Sequence, residues 1–481
     1  MDTGEFPGYE FEVPRSPRQG PRHDTGHDSL RQLRYAPQHA QVPRSPVRTA
    51  SSGVFDVMRG RNWLMGLAAP IMAAIAVGIA VVVVAGGSGG AGAAPSALAA
   101  GFPPARAAGP EFTGTGSTAR VVLSAVGASA ATEVAAGGSN GGPALWVSLN
   151  GGSAWSRAAL TGPASLTQAG TGQLAAVAHG AAGWLAVGTT RGGAGGPLLV
   201  SSPDAVRWTV TAGLAGAQGK DVIAAAAAAG AAGYVIVGHR PAVAAGTAAA
   251  AAWYSRGLTG WSSAAIAGQA GSAGAAGGQL MNAVTATARG FAAVGASGAQ
   301  PAAWVSATGR SWRPVSLPVP AGAARAALDY VAANGAGLVA AGTEFTAAGA
   351  SRPFAEVSAD AGATWTAVQL PVPDIGPGTG TTVTALTAAG GGFTAAGTYL
   401  TKSGPEVVVW TLPPGKPVTA GSAWAAVTPQ GPGLAGAGSQ NAITALTAEG
   451  ATLTGVGFTA ALTASGPGTQ HPTLWQSPIR Y

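Results

Sequence analysis

Ionisable side chains that could bind a ligand recur in short segments that follow an apolar run ending on glycine. The candidate ligand-binding residues are Arg191, His239, Arg240, Glu344, Arg352 and Lys402, with Tyr399 and His471 at similar positions. Guanidinium groups hold carboxylates, sulfates and phosphates through paired, charge-assisted hydrogen bonds. The pattern predicts a mildly basic surface for an acidic sugar, a cell-wall polymer or a protein loop. The alternative is an ordinary solvated surface, because loops tolerate charge.

The carboxylates and tyrosines do not indicate catalysis. Glycoside hydrolysis needs two facing carboxyl groups, or a nucleophile beside its base. No spacing pairs the carboxylates of Glu133, Asp221, Asp329, Glu344, Glu356, Asp374, Glu406 and Glu449. No recognisable glutamate partner accompanies Tyr234, Tyr254, Tyr330, Tyr399 or Tyr481. We therefore expect no catalytic residue, and the sequence favours binding over enzymatic activity.

The sequence predicts neither a metal site nor a cofactor. The chain contains no cysteine, which excludes disulfides and thiolate metal sites. Three of its six histidines lie in the first 40 residues, and the others, His179, His239 and His471, fall in separate repeats. None has the i, i+4 spacing typical of zinc ligands.

Six tryptophans divide the chain into repeated units. They are 53, 53, 51, 53 and 59 residues apart, at Trp155, Trp208, Trp261, Trp312, Trp365 and Trp424. Each unit contains an apolar run that ends on glycine, and seven copies end at Gly137, Gly188, Gly238, Gly295, Gly342, Gly397 and Gly457. Further apolar runs precede and follow each copy, and the tryptophan opens a fourth. Regular repetition at this period is typical of propellers and solenoids.

Helix is the alternative to strand, because alanine is the best helix former and residues 224–229 are all alanine. Beyond Gly101, however, no stretch free of both glycine and proline exceeds the 12 residues from Ala323 to Asn334. Four short strands per unit, bounded by turn residues, predict an all-β fold. We expect a seven-bladed β-propeller over residues 102–481.

The turn before the fifth repeated tryptophan carries a recognisable motif, Ser358-Ala-Asp360-Ala-Gly362-Ala-Thr364-Trp365. It resembles the Asp-box, or BNR repeat, which lies between the third and fourth strands of sialidase-like propeller blades. Asn150 replaces the aspartate in a second copy, the copy at 306–312 is one residue shorter, and Asp204 is shifted by one in a degenerate copy. The carboxylate is expected to accept backbone amide hydrogens within the turn. The motif occurs in enzymes and in other proteins, so it predicts architecture rather than activity.

Sialidase-like enzymes would require further residues. The resemblance implies an arginine triad, a Tyr–Glu nucleophile pair, an aspartate acid/base and a Phe/Tyr-Arg-Ile-Pro motif before the first Asp-boxes. The chain contains no such motif. A glycan-processing hydrolase is therefore the alternative function, behind a ligand-binding or protein-interaction scaffold.

The last unit ends after its third strand, near Ser477, because no repeated tryptophan follows it. A propeller removes its sheet edges by closing into a ring. We expect the missing strand to come from the segment 102–118, where Pro103, Pro104 and Pro110 restrict the pairing.

The charge of the predicted propeller is small. Residues 102–481 carry 16 Lys and Arg against 11 Asp and Glu, a net charge of +5, scattered along the units. Nucleic-acid binding would require clustered basic and aromatic residues, so we expect no such partner. The excess of alanine, glycine and arginine is typical of a high-GC genome such as that of an actinobacterium.

The segment 62–85 predicts a single membrane-spanning helix. Leu64 to Ala85 is 22 residues without charge, about 33 Å as a helix, which is enough to cross the hydrocarbon core. Arg44, Arg48, Arg59 and Arg61 precede it, so the positive-inside rule places the N-terminus in the cytoplasm and the propeller outside. A cleaved signal peptide is the alternative, which the long leader disfavours. Residues 86–101 predict a flexible Gly/Ala/Ser linker.

Residues 1–61 predict a disordered cytoplasmic tail with nine arginines and seven prolines. The tail repeats one pentapeptide, Val-Pro-Arg-Ser-Pro, at 13–17 and 42–46. Ser16 and Ser45 are candidate phosphorylation or docking sites, and a plain solvated tail is the alternative.

Overall fold

The computed structural model describes residues 120–168, 170–190, 196–214, 222–240, 248–268, 278–335, 337–373, 380–401, 404–418, 423–429, 434, 439–463 and 466–479. The predicted tail, membrane segment, linker and closing segment all lie outside these residues. Within the described part, no helix combines the length and apolar character needed to cross a membrane.

The described strands form seven sheets, which we number blades 1 to 7 in chain order. Blade 1 contains β1 (Val121–Ser129), β2 (Thr132–Ser139), β3 (Gly142–Ser148) and β4 (Ser156–Arg157). Blade 2 contains β5 (Leu160–Thr161), β6 (Gly172–Gly180), β7 (Gly183–Thr190), β8 (Pro197–Ser202) and β9 (Trp208–Ala212), with the helical turn α1 (Ala164–Thr167) after β5. Blade 3 contains β10 (Ile223–Gly230), β11 (Gly233–Arg240), β12 (Ala249–Ser255) and β13 (Ser262–Ser263).

Blades 4 to 7 repeat this order. Blade 4 contains β14 (Ala265–Ile266), β15 (Gln279–Thr287), β16 (Gly290–Ser297), β17 (Gln300–Ser306) and β18 (Ser311–Val315). Blade 5 contains β19 (Ala323–Asn334), β20 (Gly337–Thr346), β21 (Ser351–Ser358) and β22 (Thr366–Gln369). Blade 6 contains β23 (Thr381–Ala389), β24 (Gly392–Thr401), β25 (Gly404–Leu412) and β26 (Ala425–Val427). Blade 7 contains β27 (Ser439–Glu449), β28 (Thr452–Thr463) and β29 (Gly466–Pro478).

The blades are arranged as a ring around a central channel. The first long strand of each blade contacts the corresponding strands of the blades before and after it, and β27 of blade 7 contacts β1 of blade 1. The short strands β5 and β14 come from the links between blades and pair in parallel with the outer strands β9 and β18. The predicted all-β, seven-bladed propeller is confirmed.

Blade 7 packs directly against blade 1. The Thr444 hydroxyl donates to the carbonyl of Leu123 at 2.8 Å, and the Gln476 amide donates to the carbonyl of Gly151 at 3.1 Å. Val456 of blade 7 belongs to the same apolar cluster as the core of blade 1. Ring closure therefore rests on face-to-face packing of these two blades, with three strands described in blade 7.

A β-bulge interrupts the first long strand of every blade, opposite a glycine of the next strand. The extra residues are Ser124, Ala175, Ala225, Asn282, Asp329, Thr384 and Thr444. The glycines opposite are Gly137, Gly188, Gly238, Gly295, Gly342, Gly397 and Gly457, the same seven that end the apolar runs of the sequence. A Cβ atom on any of them would overlap with the carbonyl oxygen two residues before the bulge residue. The close approach of the two backbones therefore requires glycine.

Polar bulge residues connect neighbouring blades around the channel. The amide of Asn282 donates to the carbonyl of Leu328 at 3.1 Å, and the hydroxyl of Thr384 donates to the carbonyl of Ile443 at 2.6 Å. In both cases, as for Thr444, the acceptor is the residue before the bulge in the following blade. The bulge thus presents one blade's side chain to the next blade's backbone.

The repeated tryptophans stand at the start of the fourth strands, as predicted. Their indole N–H groups donate to the carbonyl three residues earlier, at 2.9 to 3.3 Å, in Trp155, Trp208, Trp261, Trp312 and Trp365. Each tryptophan thereby closes its own turn while its ring packs in the blade.

The alanine run at 224–229 forms part of β10, so the helical alternative is wrong. Ala224 and Ala227 pack against blade 2, whereas Ala228 packs against blade 4. A strand that is buried on both faces has an almost uninterrupted apolar sequence. The small alanine side chains allow blades 2 and 4 to pack closely against the two faces of blade 3.

We expect Gly238→Ala to destabilise the full-length chain, because the added methyl group meets the backbone of Ile223 rather than a flexible side chain. Overpacking of this kind costs about 1 to 3 kcal/mol or more. Gly257→Ala is the matched control, since its Cβ would approach nothing closer than Ala182 at 3.9 Å. Thermal unfolding measures both variants. Equal midpoints would show that the glycine–bulge contact is dispensable.

The closing segment gives a second prediction. A chain that starts near Thr118 should melt lower and aggregate more than one that starts near Gly101, because an uncovered edge strand recruits strands from other molecules. Thermal unfolding and size-exclusion chromatography compare the two. Identical midpoints and monodispersity would mean that residues 102–118 do not cover blade 7.

Candidate functional site

The ends of the blades form two opposite faces. The link face contains the loops between second and third strands together with the links between blades, and Gly170 in a link donates to the carbonyl of Asn140 in such a loop at 3.0 Å. The hairpin face contains the hairpins between first and second strands together with the turns between third and fourth strands. There, Gly151 in a turn donates to the carbonyl of Ala131 in a hairpin at 2.8 Å.

The described members of the predicted ligand-binding set on the link face lie on blades 3 and 5. Arg191 and Lys402 lie outside the described residues, as does Asp374. Arg240 and Arg352 are exposed, on blades 3 and 5, with blade 4 between them. Their exposure is compatible with the predicted basic rim.

His239, Arg240, Glu344 and Arg352 differ from the prediction in one respect, because all four lie in strands rather than in loops. Strands β11 and β20 continue two and four residues beyond the glycines Gly238 and Gly342 at which the apolar runs end. His239 is buried, and burial lowers its pKa to about 4, so the ring is neutral near pH 7. Glu344 is buried as well.

Glu344 is fully buried beside Arg352. Burial raises the pKa of Glu344, and the Arg352 guanidinium partly offsets this effect. The shortest distance between the Arg352 guanidinium and the Glu344 carboxylate is 3.9 Å, too long for a hydrogen bond. Arg352 is thus exposed to solvent while it lies next to the buried carboxyl group of Glu344.

Blade 6 contains a tyrosine–glutamate pair that the sequence analysis missed. The hydroxyl of Tyr399 donates to the Glu406 carboxylate at 2.9 Å, and Thr401 donates to its other oxygen at 3.3 Å. The register of β24 and β25 places Tyr399 opposite Glu406. Burial, followed by the bond to Glu406, raises the pKa of Tyr399 to about 12. A nucleophile needs the opposite shift, so this pair serves packing better than catalysis.

The hairpin face carries a depression of about 630 Å³ between blades 2, 3 and 4. Its cationic side chains are Arg256, in the turn of blade 3, and Arg310, in the turn of blade 4. Thr308 and the hairpin 230–233 complete most of its wall. The lining residues include no carboxylate, so the two guanidinium groups give the depression a positive potential.

Aromatic residues hold this depression in shape. The Arg310 guanidinium lies over the ring of Tyr254, 5.0 Å from its centre. The hydroxyl of Tyr234 accepts from the amide of Ala182 at 3.0 Å and donates to the carbonyl of Gly183 at 2.8 Å. Tyr234 thereby ties blade 3 to blade 2, and Arg310 remains exposed to solvent while it lies over the Tyr254 ring.

The turns around this face are fixed by serine and acidic side chains. Asp360 accepts from the amides of Ala363 and Thr364 at 3.0 and 2.9 Å, and Gly362 donates its amide to the hydroxyl of Ser358 at 2.9 Å. The bond from the Thr364 amide contributes most to a low pKa of about 2 for Asp360. The Asp360 carboxylate therefore forms its hydrogen bonds within its own turn.

The turn of blade 2 has the same construction in a shorter form. Asp204 lies two residues after Ser202, as Asp360 does after Ser358, and the interval from serine to tryptophan is one residue shorter. Amides of Arg207 and Val206 donate to Asp204 and lower its pKa, and Arg207 pairs with it at 3.1 Å. In the sequence, Asp204 is shifted by one residue relative to the tryptophan. The structure shows that Asp204 keeps its position relative to Ser202, and that the turn is one residue shorter between Asp204 and Trp208.

Glu356 is a buried carboxyl group at a position that tryptophan occupies in most blades. Glu356 pairs with Ala340, which lies two residues before Gly342, the glycine that faces the bulge of blade 5. The residues at the same position in the other blades are Trp146, Val200, Trp253, Trp304, Trp410 and Trp475. Glu356 is fully buried, and neither of its oxygens has a hydrogen-bond partner among the described residues. Burial raises its pKa to about 8. The junction between blades 4 and 5 therefore favours the protonated carboxyl group.

Known structures share this chain's general architecture at low identity. YCF48 bound to D1 peptide is 12% identical with a TM-score of 0.45, covering 81% of this chain and 100% of that one. A protein of unknown function from Dyadobacter fermentans is 12% identical with a TM-score of 0.42, covering 79% and 100%. Trypanosoma rangeli sialidase in complex with the inhibitor DANA is 12% identical with a TM-score of 0.36, covering 74% and 55%. No family model matches the sequence, and no curated protein matches it either.

Glu356 makes stability depend on pH. Its pKa is about 8 in the folded chain against an ordinary value of 4.5, so the unfolded chain releases this proton first as pH rises. The full-length chain should lose stability between about pH 4.5 and pH 8. Glu356→Gln should flatten this loss, whereas Glu449→Gln, at an exposed position, should change it little. Unfolding midpoints across this range test the prediction, and parallel profiles for wild type and Glu356→Gln would contradict it.

Proposed function

We propose that this chain is a membrane-anchored extracytoplasmic propeller that binds an acidic partner or ligand at the cell envelope without turning it over. The observation that carries the proposal is the depression of the hairpin face, where Arg256 and Arg310 face solvent with no carboxylate in the lining. An exposed guanidinium pair on a rigid ring is preorganised for carboxylates, sulfates or phosphates.

The membrane anchor and the orientation are carried by the sequence. The uncharged segment 62–85 and the arginines before it support a single span with the propeller outside. Serine–acid turns of the kind seen at Ser358 and Asp360 support kinship with Asp-box propellers. Envelope proteins and acidic glycans or cell-wall polymers are the partners that this location would offer.

A glycan-processing hydrolase is the second candidate function. The Tyr399–Glu406 pair has the composition of a sialidase nucleophile pair, but the tyrosine is buried and its raised pKa opposes ionisation. Product release from a panel of acidic glycans would establish this activity. Stoichiometric binding without product supports the binding module.

The two faces make different predictions for binding. Arg256→Ala with Arg310→Ala should weaken capture of fluorescent polygalacturonate or poly-glutamate by about tenfold and reduce its salt dependence. The exposed positions keep the fold intact, since surface substitutions usually change stability by under about 0.5 kcal/mol. Fluorescence anisotropy at several salt concentrations provides the measurement.

The comparison variant combines Arg191→Ala, Arg240→Ala and Arg352→Ala on the link face. If the hairpin face binds, this triple variant retains capture. Loss of capture in the triple variant alone would move the site to the link face, where the sequence predicts a basic rim. Retention in both variants would reject binding through either arginine set.

The topology prediction can be tested on intact cells. Protease should cut the linker 86–101 and release the propeller, leaving the tail 1–61 protected, because the span places these parts on opposite sides of the membrane. Immunoblotting with antibodies to the two parts distinguishes the fragments. Digestion of the tail with protection of the propeller would reverse the orientation.

A further inference from the structure

We infer that the hairpin face of blades 1 to 4 is a docking surface for an extended, acidic protein segment that also carries apolar side chains. The inference rests on the proposed function and specifies the partner of the same face. Two exposed apolar side chains lie on the same hairpin face as the arginine-lined depression, and together with the arginines they define the chemistry of the occupant.

The apolar tips are Leu149 and Val206. Leu149 lies in the turn of blade 1 and Val206 in the turn of blade 2, with 58% and 60% of their surface exposed. The polar groups of these turns are used internally, since Asn150 accepts from Ala154 at 2.9 Å and Asp204 accepts from Val206 at 2.9 Å. The turns therefore hold large apolar side chains in water on backbones that are fixed from within.

The Val206 turn and the depression belong to one continuous surface, and Leu149 lies in the turn of blade 1 on the same hairpin face. Gly183 of the blade 2 hairpin lies against Pro203 of the Val206 turn, and Ala181 of the same hairpin lines the depression. Gly257 of the next turn lies near Ala182. Turns and hairpins of blades 2 and 3 thus alternate along this rim, from the Val206 turn to the depression that contains Arg256 and Arg310.

The charges on this surface select an acidic occupant. Arg207 is exposed but already paired with Asp204 at 3.1 Å, whereas Arg256 and Arg310 have no ion pair with any carboxylate of the described residues. A carboxylate that enters the depression would find two guanidinium groups and would bring its own hydrogen-bond acceptors. Apolar residues some way along the same segment would cover Leu149 and Val206.

A protein segment fits this surface better than an acidic polysaccharide does. Charged sugars would use the arginines and leave both apolar tips in water, whereas a peptide strand presents acidic and apolar side chains on one backbone. The turns lie at the ends of the blades, so the bound segment would lie across the tips of these turns and contact their side chains.

Selection from a random 12-residue peptide display library on the full-length chain in detergent micelles tests the inference. Selected peptides should combine Asp or Glu with Leu, Ile, Val or an aromatic residue. Their affinity should fall about tenfold with Arg256→Ala and Arg310→Ala together, and by a similar factor with Leu149→Ser and Val206→Ser together. Val319→Ser with Val372→Ser is the matched control, because these valines are 47% and 51% exposed on links between blades and should not matter.

The outcomes separate this inference from the proposed function. Polygalacturonate binding that depends on Arg256 and Arg310, with no peptide enriched or with no effect of the Leu149 and Val206 substitutions, overturns the peptide surface and leaves the acidic-ligand site standing. Peptides without acidic residues, or peptide binding unaffected by the arginine substitutions, overturn the peptide surface. If polygalacturonate binding is also unaffected by those substitutions, the proposed function fails with it. Equal losses in the Val319 and Val372 variant would also reject this location.

Discussion

The close approach of two backbones, glycine against bulge, is the constraint on which the ring depends. In each blade the second strand passes so near the bulged first strand that a Cβ atom at the facing glycine would overlap with a backbone carbonyl. The bulge turns its extra side chain toward the neighbouring blade, and Asn282, Thr384 and Thr444 use this orientation to donate to the next blade's backbone. One local device therefore shapes the blade and connects it to the next.

The inner ring varies little because this device leaves few choices, whereas the blade ends are free to differ. Leu149 and Val206 stand exposed in the turns of blades 1 and 2, and Arg256 and Arg310 lie in those of blades 3 and 4. The turn backbones are fixed by their own serine, acid and tryptophan side chains, as at Ser358, Asp360 and Trp365. A rigid ring can therefore display different chemistry at each blade end.

Much of the fold could be predicted from sequence because its determinants are local and repeated. The seven glycines mark the seven blades, and the repeated tryptophans mark the fourth strands, since five of the six indole N–H groups donate within their own turn. The candidate site was harder to predict. Strands β11 and β20 continue past their glycines and enclose His239 and Glu344, and this continuation depends on pairing with the next strand. Tyr399 meets Glu406 through strand register rather than spacing, and the depression joins residues from three blades.

Hydrogen–deuterium exchange of the full-length chain tests most directly whether the seven glycine–bulge units act as one closed ring. Because blade 7 is bonded to blade 1 through Thr444 and Gln476, we predict that the second strands of all seven blades, including β28, exchange slowest and at a common rate. Stepwise exchange that begins in blade 7 and advances through blade 6 would contradict this account, since it would describe an open stack of blades rather than a ring.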